Sequence, residues 1–231
     1  MANFAEKAMS LPLYKIRKIE YWPLAGWIPA SLSALSVFFL GSSLPPLVVA
    51  AIAILIPMAT GRLQYERLFI AGSEQLLGSY GRYLITLTVP LLVLVVASMP
   101  TQIAVLALFA GIPFSRMIAG QLVLMLRPDT ASRYFTLYPS FQFAGREGKI
   151  NARVYLTGAL YFAFGILPLV FMLWQTDWQL RWDIIIFGPC LVMYFLYLAL
   201  FRRHQGYNDA VIALASQLIL LAFLAAVAVL R

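Results

Sequence analysis

The sequence predicts an all-α, polytopic integral membrane protein with six or seven transmembrane helices and short interfacial helices. Its residues are 62% hydrophobic and only 11% charged, whereas a soluble domain carries about 25% charged residues. Apolar segments recur at lengths of about 17–25 residues, which suit a bilayer crossing. The connections between these segments alternate between basic and uncharged, as the positive-inside rule expects. We therefore expect residues 1–231 to form a single transmembrane domain.

Seven apolar segments are the predicted spans. They occupy residues 24–41, 44–60, 82–98, 102–126, 154–174, 183–201 and 209–230. If one hairpin is re-entrant, the number of spans falls to six and the chain ends on the cytoplasmic side. Trp22 and Trp27 lie at one predicted membrane boundary, and Trp174, Trp178 and Trp182 lie at the other, as expected for aromatic belts at the headgroup level.

The Lys and Arg residues predict the topology. They concentrate in the N-terminal arm 1–22 and in the segments 61–82, 127–153 and 202–208. The intervening turns at 42–43 and 98–101 have none, and the 175–182 connection has only Arg181. Basic connections remain in the cytoplasm. The arm 1–22 and the segments 61–80 and 127–152 are therefore predicted to be cytoplasmic, in a multi-pass protein of a bacterial-type cell inner membrane.

Several classes of function are disfavoured by what the sequence lacks. The net charge of +8 lies at helix ends and in loops, without the basic, aromatic-interleaved stripe of a nucleic-acid interface, so no nucleic-acid partner is expected. A single cysteine, Cys190, and a single histidine, His204, are too few for a protein metal site. We expect no cofactor. Walker and GxSxG motifs are absent, so catalytic activity in this chain is uncertain.

The acidic residues also disfavour ion-driven transport. None of the nine Asp and Glu residues falls at the middle of a predicted span, whereas such transport commonly uses an ionisable residue at membrane depth. If the protein moves a substrate, the energy is therefore expected to come from a partner, such as a separate cytoplasmic ATPase subunit.

The segment 61–80 is too polar to cross the membrane and has a moderate amphipathic pattern. Its predicted apolar face is formed by Tyr65, Phe69, Leu76, Leu77 and Tyr80, and its polar face by Arg67, Glu74, Gln75 and Ser79. Glu66 and Ser73 do not fit this pattern. The segment is either an interfacial helix that docks a cytoplasmic partner or a membrane-surface connector.

Two further features are candidates for function. The segment 127–152 is aromatic-rich and longer than a connector needs, and its Arg146, Glu147 and Lys149 are candidate partner-contacting residues. Arg116 lies within the fourth span, after Gly111 and Pro113. A charge inside a span indicates a functional site, although Arg116 lies near enough to the cytoplasmic end to snorkel towards the headgroups.

The segment from Tyr65 to Leu77 contains Glu66-Arg67 followed by Gly72-Ser73-Glu74-Gln75-Leu76-Leu77. This pattern resembles the transmembrane (permease) subunits of type II ABC exporters, in which a Glu-Arg pair and Gly-x-Glu-x-Leu-Leu follow the second span. The run from Asp129 through Tyr138-Pro139-Ser140 to Ala152-Arg153 is also similar to a stretch of some of these permeases. The resemblance covers about 15 residues closely and 30 loosely.

The resemblance implies that the cytoplasmic segment acts as a coupling helix against a nucleotide-binding subunit. Glu66, Arg67 and Glu74 are then the partner-coupling residues of this segment. The family usually has six spans, with both termini in the cytoplasm. Two alternatives remain open: a non-catalytic membrane scaffold or assembly subunit of a larger complex, and a membrane-embedded lipid or quinone enzyme. The expected partners are membrane lipids, the ATPase subunit, and further copies or other subunits in a homo- or hetero-oligomer.

Overall fold

The computed structural model describes residues 21–60, 64–134, 152–176, 181–203 and 206–229. In this part of the chain the regular structure is helical. The α-helices are α1 (Trp22–Ala25), α2 (Trp27–Leu40), α3 (Pro46–Thr60), α4 (Gln64–Leu77), α5 (Leu84–Ala97), α6 (Thr101–Gly120), α7 (Leu122–Met125), α8 (Ala152–Gln175), α9 (Trp182–Arg202) and α10 (Asp209–Val229). A 3₁₀-helix, Gly78–Tyr83, joins α4 to α5.

Six helical stretches of the described residues are long and apolar enough to cross a membrane, which makes the chain a multi-pass membrane protein. They are Trp22–Leu40, Glu66–Ala97, Thr101–Met125, Tyr155–Gln175, Trp182–Arg202 and Asp209–Val229. The remaining apolar segment forms α3, whose 15 residues span about 22 Å, less than the roughly 30 Å of a hydrocarbon core. The seven predicted apolar segments are thus all helical, and α3 is the one that is not part of a helical stretch of spanning length.

Helices α6 and α10 form the centre of the bundle. Gly111 of α6 lies against the ring of Phe223 of α10, and the rings of Phe114 and Phe223 are 5.5 Å apart. Helices α2 and α8 pack on other faces of α6. Small residues let helices approach closely in a membrane, where lipid competes equally for apolar side chains. Gly111 therefore places the two most buried spans in direct contact.

The connections group at two ends of the bundle, as the charge alternation predicts. At one end, the N–H of Tyr207 donates to the carbonyl of Arg127 at 2.8 Å, and the guanidinium of Arg203 donates to the carbonyl of Leu76. At the other end, Gly41 lies against the side chain of Thr101. The described residues of the segments 61–82, 127–153 and 202–208 thus share one end, and the uncharged turns 42–43 and 98–101 share the other.

The tryptophans behave differently at the two ends. Trp174 and Trp182 are 66% and 52% exposed, which suits the expected aromatic belt. Trp178 lies outside the described residues. Trp22 is buried, and the indole N–H of Trp27 donates to the carbonyl of Phe164 at 2.8 Å. Packing within the bundle, rather than headgroup anchoring, therefore determines the positions of Trp22 and Trp27.

Candidate functional site: a polar cavity within the bundle

A cavity of about 550 Å³ lies between the helices α1 to α6 and α10. It is near the end of the bundle that carries the basic connections, because Arg116 on its wall is 15 residues from the start of α6 at Thr101, a rise of about 22 Å. This volume is within the range of roughly 300–1,000 Å³ typical of small-molecule sites.

One wall of the cavity is apolar. It includes Ile54 of α3, Leu92 of α5, Ile112 of α6 and Leu220 of α10. Four separate helices contribute these side chains, so the wall exists only when the bundle is assembled. It provides a surface for the hydrocarbon part of a ligand.

The lining also contains hydroxyl groups that already donate their protons. Thr88, Ser115 and Ser216 are each buried. Their hydroxyls donate to the carbonyls of their own helices, to Leu84 at 2.8 Å, Ile112 at 2.9 Å and Ala213 at 3.1 Å respectively. A hydroxyl that donates its one proton retains lone pairs that accept. These three side chains therefore present hydrogen-bond acceptors.

Glu66 lies in the first turn of α4 and lines the cavity. Glu66 is only 7% exposed, and its Oε2 atom is buried without a hydrogen-bond partner among the described residues. A buried acceptor without a partner costs roughly 1–3 kcal/mol, and more when it is charged. Such an atom in a cavity wall indicates a site that a donor group fills.

Arg116 also lines the cavity and is partly buried. Its guanidinium carbon lies 5.8 Å from the ring centroid of Trp22, within cation–π range. The Cδ atom of Arg116 also lies close to the backbone of Gly26. The charge predicted from the sequence inside the fourth span is therefore held at the cavity by the N-terminal helix.

Two further arginines of the lining, Arg67 and Arg133, are exposed. Arg133 donates to the hydroxyl of Tyr134 at 2.5 Å and lies 4.7 Å from the centroid of that ring. Asp209, at the start of α10, also lines the cavity. Arg67 and Arg133 are thus the exposed arginines of the lining, and Glu66 is its buried acid.

The exposed side of α4 carries a charged surface that begins at the edge of the cavity with Arg67. Arg67 and Glu74 are exposed, and Glu74 lies 3.6 Å from Arg82 of the following 3₁₀-helix. The opposite side of α4 packs on α10: Gly72 lies against the carbonyl of Ala210. In the same region, the side-chain amide of Asn208 donates to Gln75 at 3.2 Å. Helix α4 therefore connects an exposed charged surface to the bundle.

The structure separates the residues predicted to contact a partner. Arg67 and Glu74 lie on the exposed surface of α4, whereas Glu66 lies in the cavity and is not available to a docking protein. Arg146, Glu147 and Lys149 lie outside the described residues. Arg116 lies in the cavity wall with Glu66, two residues that the sequence had not associated.

The predicted amphipathic pattern of this segment is partly wrong. Phe69 is buried as expected, but Leu77 and Tyr80 are 46% and 77% exposed, while Ser73 is fully buried. The buried face consists of Glu66, Phe69 and Ser73, which follow at spacings of three and four residues and so lie on one side of a helix. Of the two polar residues that do not fit the sequence pattern, Glu66 lines the cavity and is thus the sequence signal for the site.

Glu66 also bears on the expectation that no acid lies at membrane depth. It is a buried acid inside the helical bundle, although it is not in the middle of any predicted span.

In the described residues no group of three His, Cys, Asp or Glu side chains converges as a metal site would require. The arrangement suits the binding of an organic molecule with a polar group and an apolar body. In comparisons with protein-family models, curated proteins and solved structures, the chain matches none.

Proposed function

We propose that this chain is the transmembrane subunit of an exporter, of the ABC type, whose substrate occupies the cavity and whose energy comes from a separate cytoplasmic ATPase. The observation that carries the proposal is the position of α4. This helix lines the cavity with Glu66 and Phe69, and with Arg67 at its exposed edge, and it exposes Glu74 outside the cavity. A force on the exposed side therefore reaches the cavity through a single rigid helix.

The contacts of α4 support such coupling. Gly72 lies so close to the backbone of Ala210 that α4 cannot move towards α10 without displacing it. The hydroxyl of Ser73 lies 2.7 Å from the carbonyl oxygen of Gly81 and 2.8 Å from that of Ile70. Donation to Gly81 ties α4 to the 3₁₀-helix that leads into α5. A displacement of α4 by a bound ATPase would thus shift two of the helices that line the cavity.

The orientation is part of the proposal. The end of the bundle that contains α4, Arg127 and Arg203 carries the basic connections, and such connections stay in the cytoplasm. We infer a bacterial-type inner membrane, with the N-terminus and the exposed side of α4 in the cytoplasm. The ATPase then has access to α4.

The test is co-purification of the ATPase in mild detergent, normalised to membrane expression. Glu74→Arg combined with Arg82→Glu keeps their 3.6 Å ion pair but reverses both charges that a partner meets, so recovery of the ATPase should fall. Arg181→Asp combined with Asp183→Arg is the matched control. It reverses an exposed ion pair, with an N···O distance of 2.9 Å, at the start of α9. This end of α9 is opposite to the end that carries Arg203, so recovery of the ATPase should be unchanged.

Unchanged recovery in the Glu74 and Arg82 variant would contradict docking at this surface. If no ATPase accompanies even the unaltered chain, a membrane-embedded enzyme acting on a lipid or quinone becomes the better candidate. The observation that favours this second function is the cavity itself, because a scaffold has no need of an internal site with both apolar and polar walls. A lipid or quinone retained by the purified protein would support it.

A further inference from the structure

The buried carboxylate of Glu66 indicates the chemistry of the molecule that fills the cavity. Its Oε2 atom accepts no hydrogen bond from the described residues. The ion pairs seen in the described part of the chain, Arg82–Glu74 and Arg181–Asp183, do not involve it. A buried carboxylate that stays ionised is stabilised by a cation or by several donors. A ligand in the cavity can supply this partner.

Three other polar side chains of the cavity lining point to the same kind of ligand. Thr88, Ser115 and Ser216 have already donated their protons to helix carbonyls and can only accept. A ligand that satisfies this wall must bring several donors. An ammonium group has three donors and no acceptor, so its hydrogen-bonding capacity matches the wall.

The cations of the lining do not replace that ligand. The guanidinium of Arg116 faces the ring of Trp22, and that of Arg133 lies over Tyr134. Arg67 is exposed on α4. An anionic group placed against Glu66 would meet a carboxylate. This position in the cavity therefore disfavours an acid and favours a base.

The remainder of the cavity determines the body of the ligand. Ile54, Leu92, Ile112 and Leu220 provide an apolar wall, and about 550 Å³ is the size of a drug-like molecule rather than an extended protein segment. We propose that the cavity binds a lipophilic primary amine, with its ammonium group on Glu66 and its hydrocarbon on the apolar wall. This inference rests on the proposed function in that the amine is then the exported substrate.

The test measures binding of radiolabelled n-decylamine to the full chain. The protein is captured in nanodiscs of phosphatidylcholine and phosphatidylglycerol, which have no primary amine, and empty nanodiscs give the membrane background. We expect saturable binding that unlabelled decylamine displaces and that n-decanol and decanoate do not. Equal displacement by decanol or decanoate would overturn the proposal, because these compounds share only the hydrocarbon.

Three substitutions locate the ammonium group. Glu66→Gln keeps the shape of the side chain and removes its charge, and should weaken decylamine binding about ten- to a hundredfold. Glu66→Asp retains the charge and should bind more tightly than Glu66→Gln. Glu74→Gln removes an exposed carboxylate from the same helix and should bind like the unaltered chain. Native affinity in Glu66→Gln, or an equal loss in Glu74→Gln, would contradict the site.

The source of the amine is a separate arm of the experiment. Addition of phosphatidylethanolamine to the nanodiscs competes with decylamine if an aminophospholipid headgroup is the occupant, and has no effect if the occupant is a free amine. The cavity volume predicts no effect. Binding of decylamine without a co-purifying ATPase would leave the amine site standing and contradict the export function. Co-purification of an ATPase without amine binding would contradict the amine site and leave the export function standing.

Discussion

Gly72 of α4 lies directly against the carbonyl oxygen of Ala210 of α10, where an added Cβ atom would overlap that oxygen. This contact joins the helix that borders the cavity to a central helix of the bundle. Backbone atoms on both sides form it, so side-chain rotation cannot relieve a clash. Small residues at such crossings allow the closest packing of membrane helices.

Gly72→Ala is therefore expected to destabilise the protein by about 1–3 kcal/mol, the usual effect of overpacking. The measurement is the thermal unfolding midpoint in mild detergent. Gly188→Ala is the control, because a Cβ at Gly188 of α9 meets no atom within 4 Å. Alanine has the higher helix propensity, so this variant should be neutral or slightly more stable. Equal midpoints for Gly72→Ala and the unaltered chain would show that α4 separates from α10 at little cost.

Tyr161 provides a second test of the packing. Its hydroxyl donates to the carbonyl of Met117 and its ring is buried. Tyr161→Phe removes the donor and should destabilise by about 0.5–1.5 kcal/mol, the net value of a hydrogen bond. Tyr155→Phe, at a residue that is 66% exposed on the same helix, should have no effect. An equal response of the two variants to heating would mean that this bond contributes nothing.

The contact between Arg116 and Trp22 predicts an energetic coupling. With the guanidinium 5.8 Å from the ring centroid, a cation–π interaction of about 0.5–2 kcal/mol is expected. A double-mutant cycle with Trp22→Leu and Arg116→Met isolates this pairwise term from the other contacts of each residue. Additive changes in the free energy of unfolding would show that the two side chains lie side by side without a stabilising interaction.

The topology is testable by cysteine labelling in a Cys190→Ser background. Residue 80, where Tyr80 is 77% exposed, is a better reporter of the segment 61–80 than Ser73, which is fully buried. Tyr80→Cys should react only with a membrane-permeant reagent. Ser43→Cys, in an exposed turn at the opposite end, should react with an impermeant reagent from outside. The reverse pattern of labelling would show that the bundle has the opposite orientation in the membrane.

Substitution of Cys190 also tests whether this cysteine has a role in function. Cys190 lies in α9 and is only partly buried. Neither the sequence nor the described contacts give it a neighbouring base or cation that would favour the reactive thiolate. Cys190→Ala should therefore leave membrane expression and ATPase recovery unchanged, as measured in parallel with the unaltered chain. A large loss of recovery at normal expression would assign this cysteine a role beyond packing.

The sequence by itself determined the helical membrane architecture. Every predicted apolar segment is a helix, because an apolar chain in lipid must satisfy its backbone hydrogen bonds internally. The grouping of the basic segments at one end also followed from Lys and Arg alone, since hydrophobic segments connected by short turns must alternate in direction. Individual residues such as Phe69, buried at 2% exposure, were correctly assigned to the inner face of their helix.

Only the tertiary structure decided which polar residues line the interior. Hydrophobicity assigns a helix face poorly in a membrane, because lipid and protein interior are equally apolar. Leu77 is exposed while Ser73 is buried, since α4 is positioned by the close contact of Gly72 with α10 rather than by its most apolar residues. That crossing turns Glu66 into the cavity that Arg116 reaches from α6. The two residues are 50 positions apart, and no local pattern could associate them, because their proximity depends on how separate helices pack.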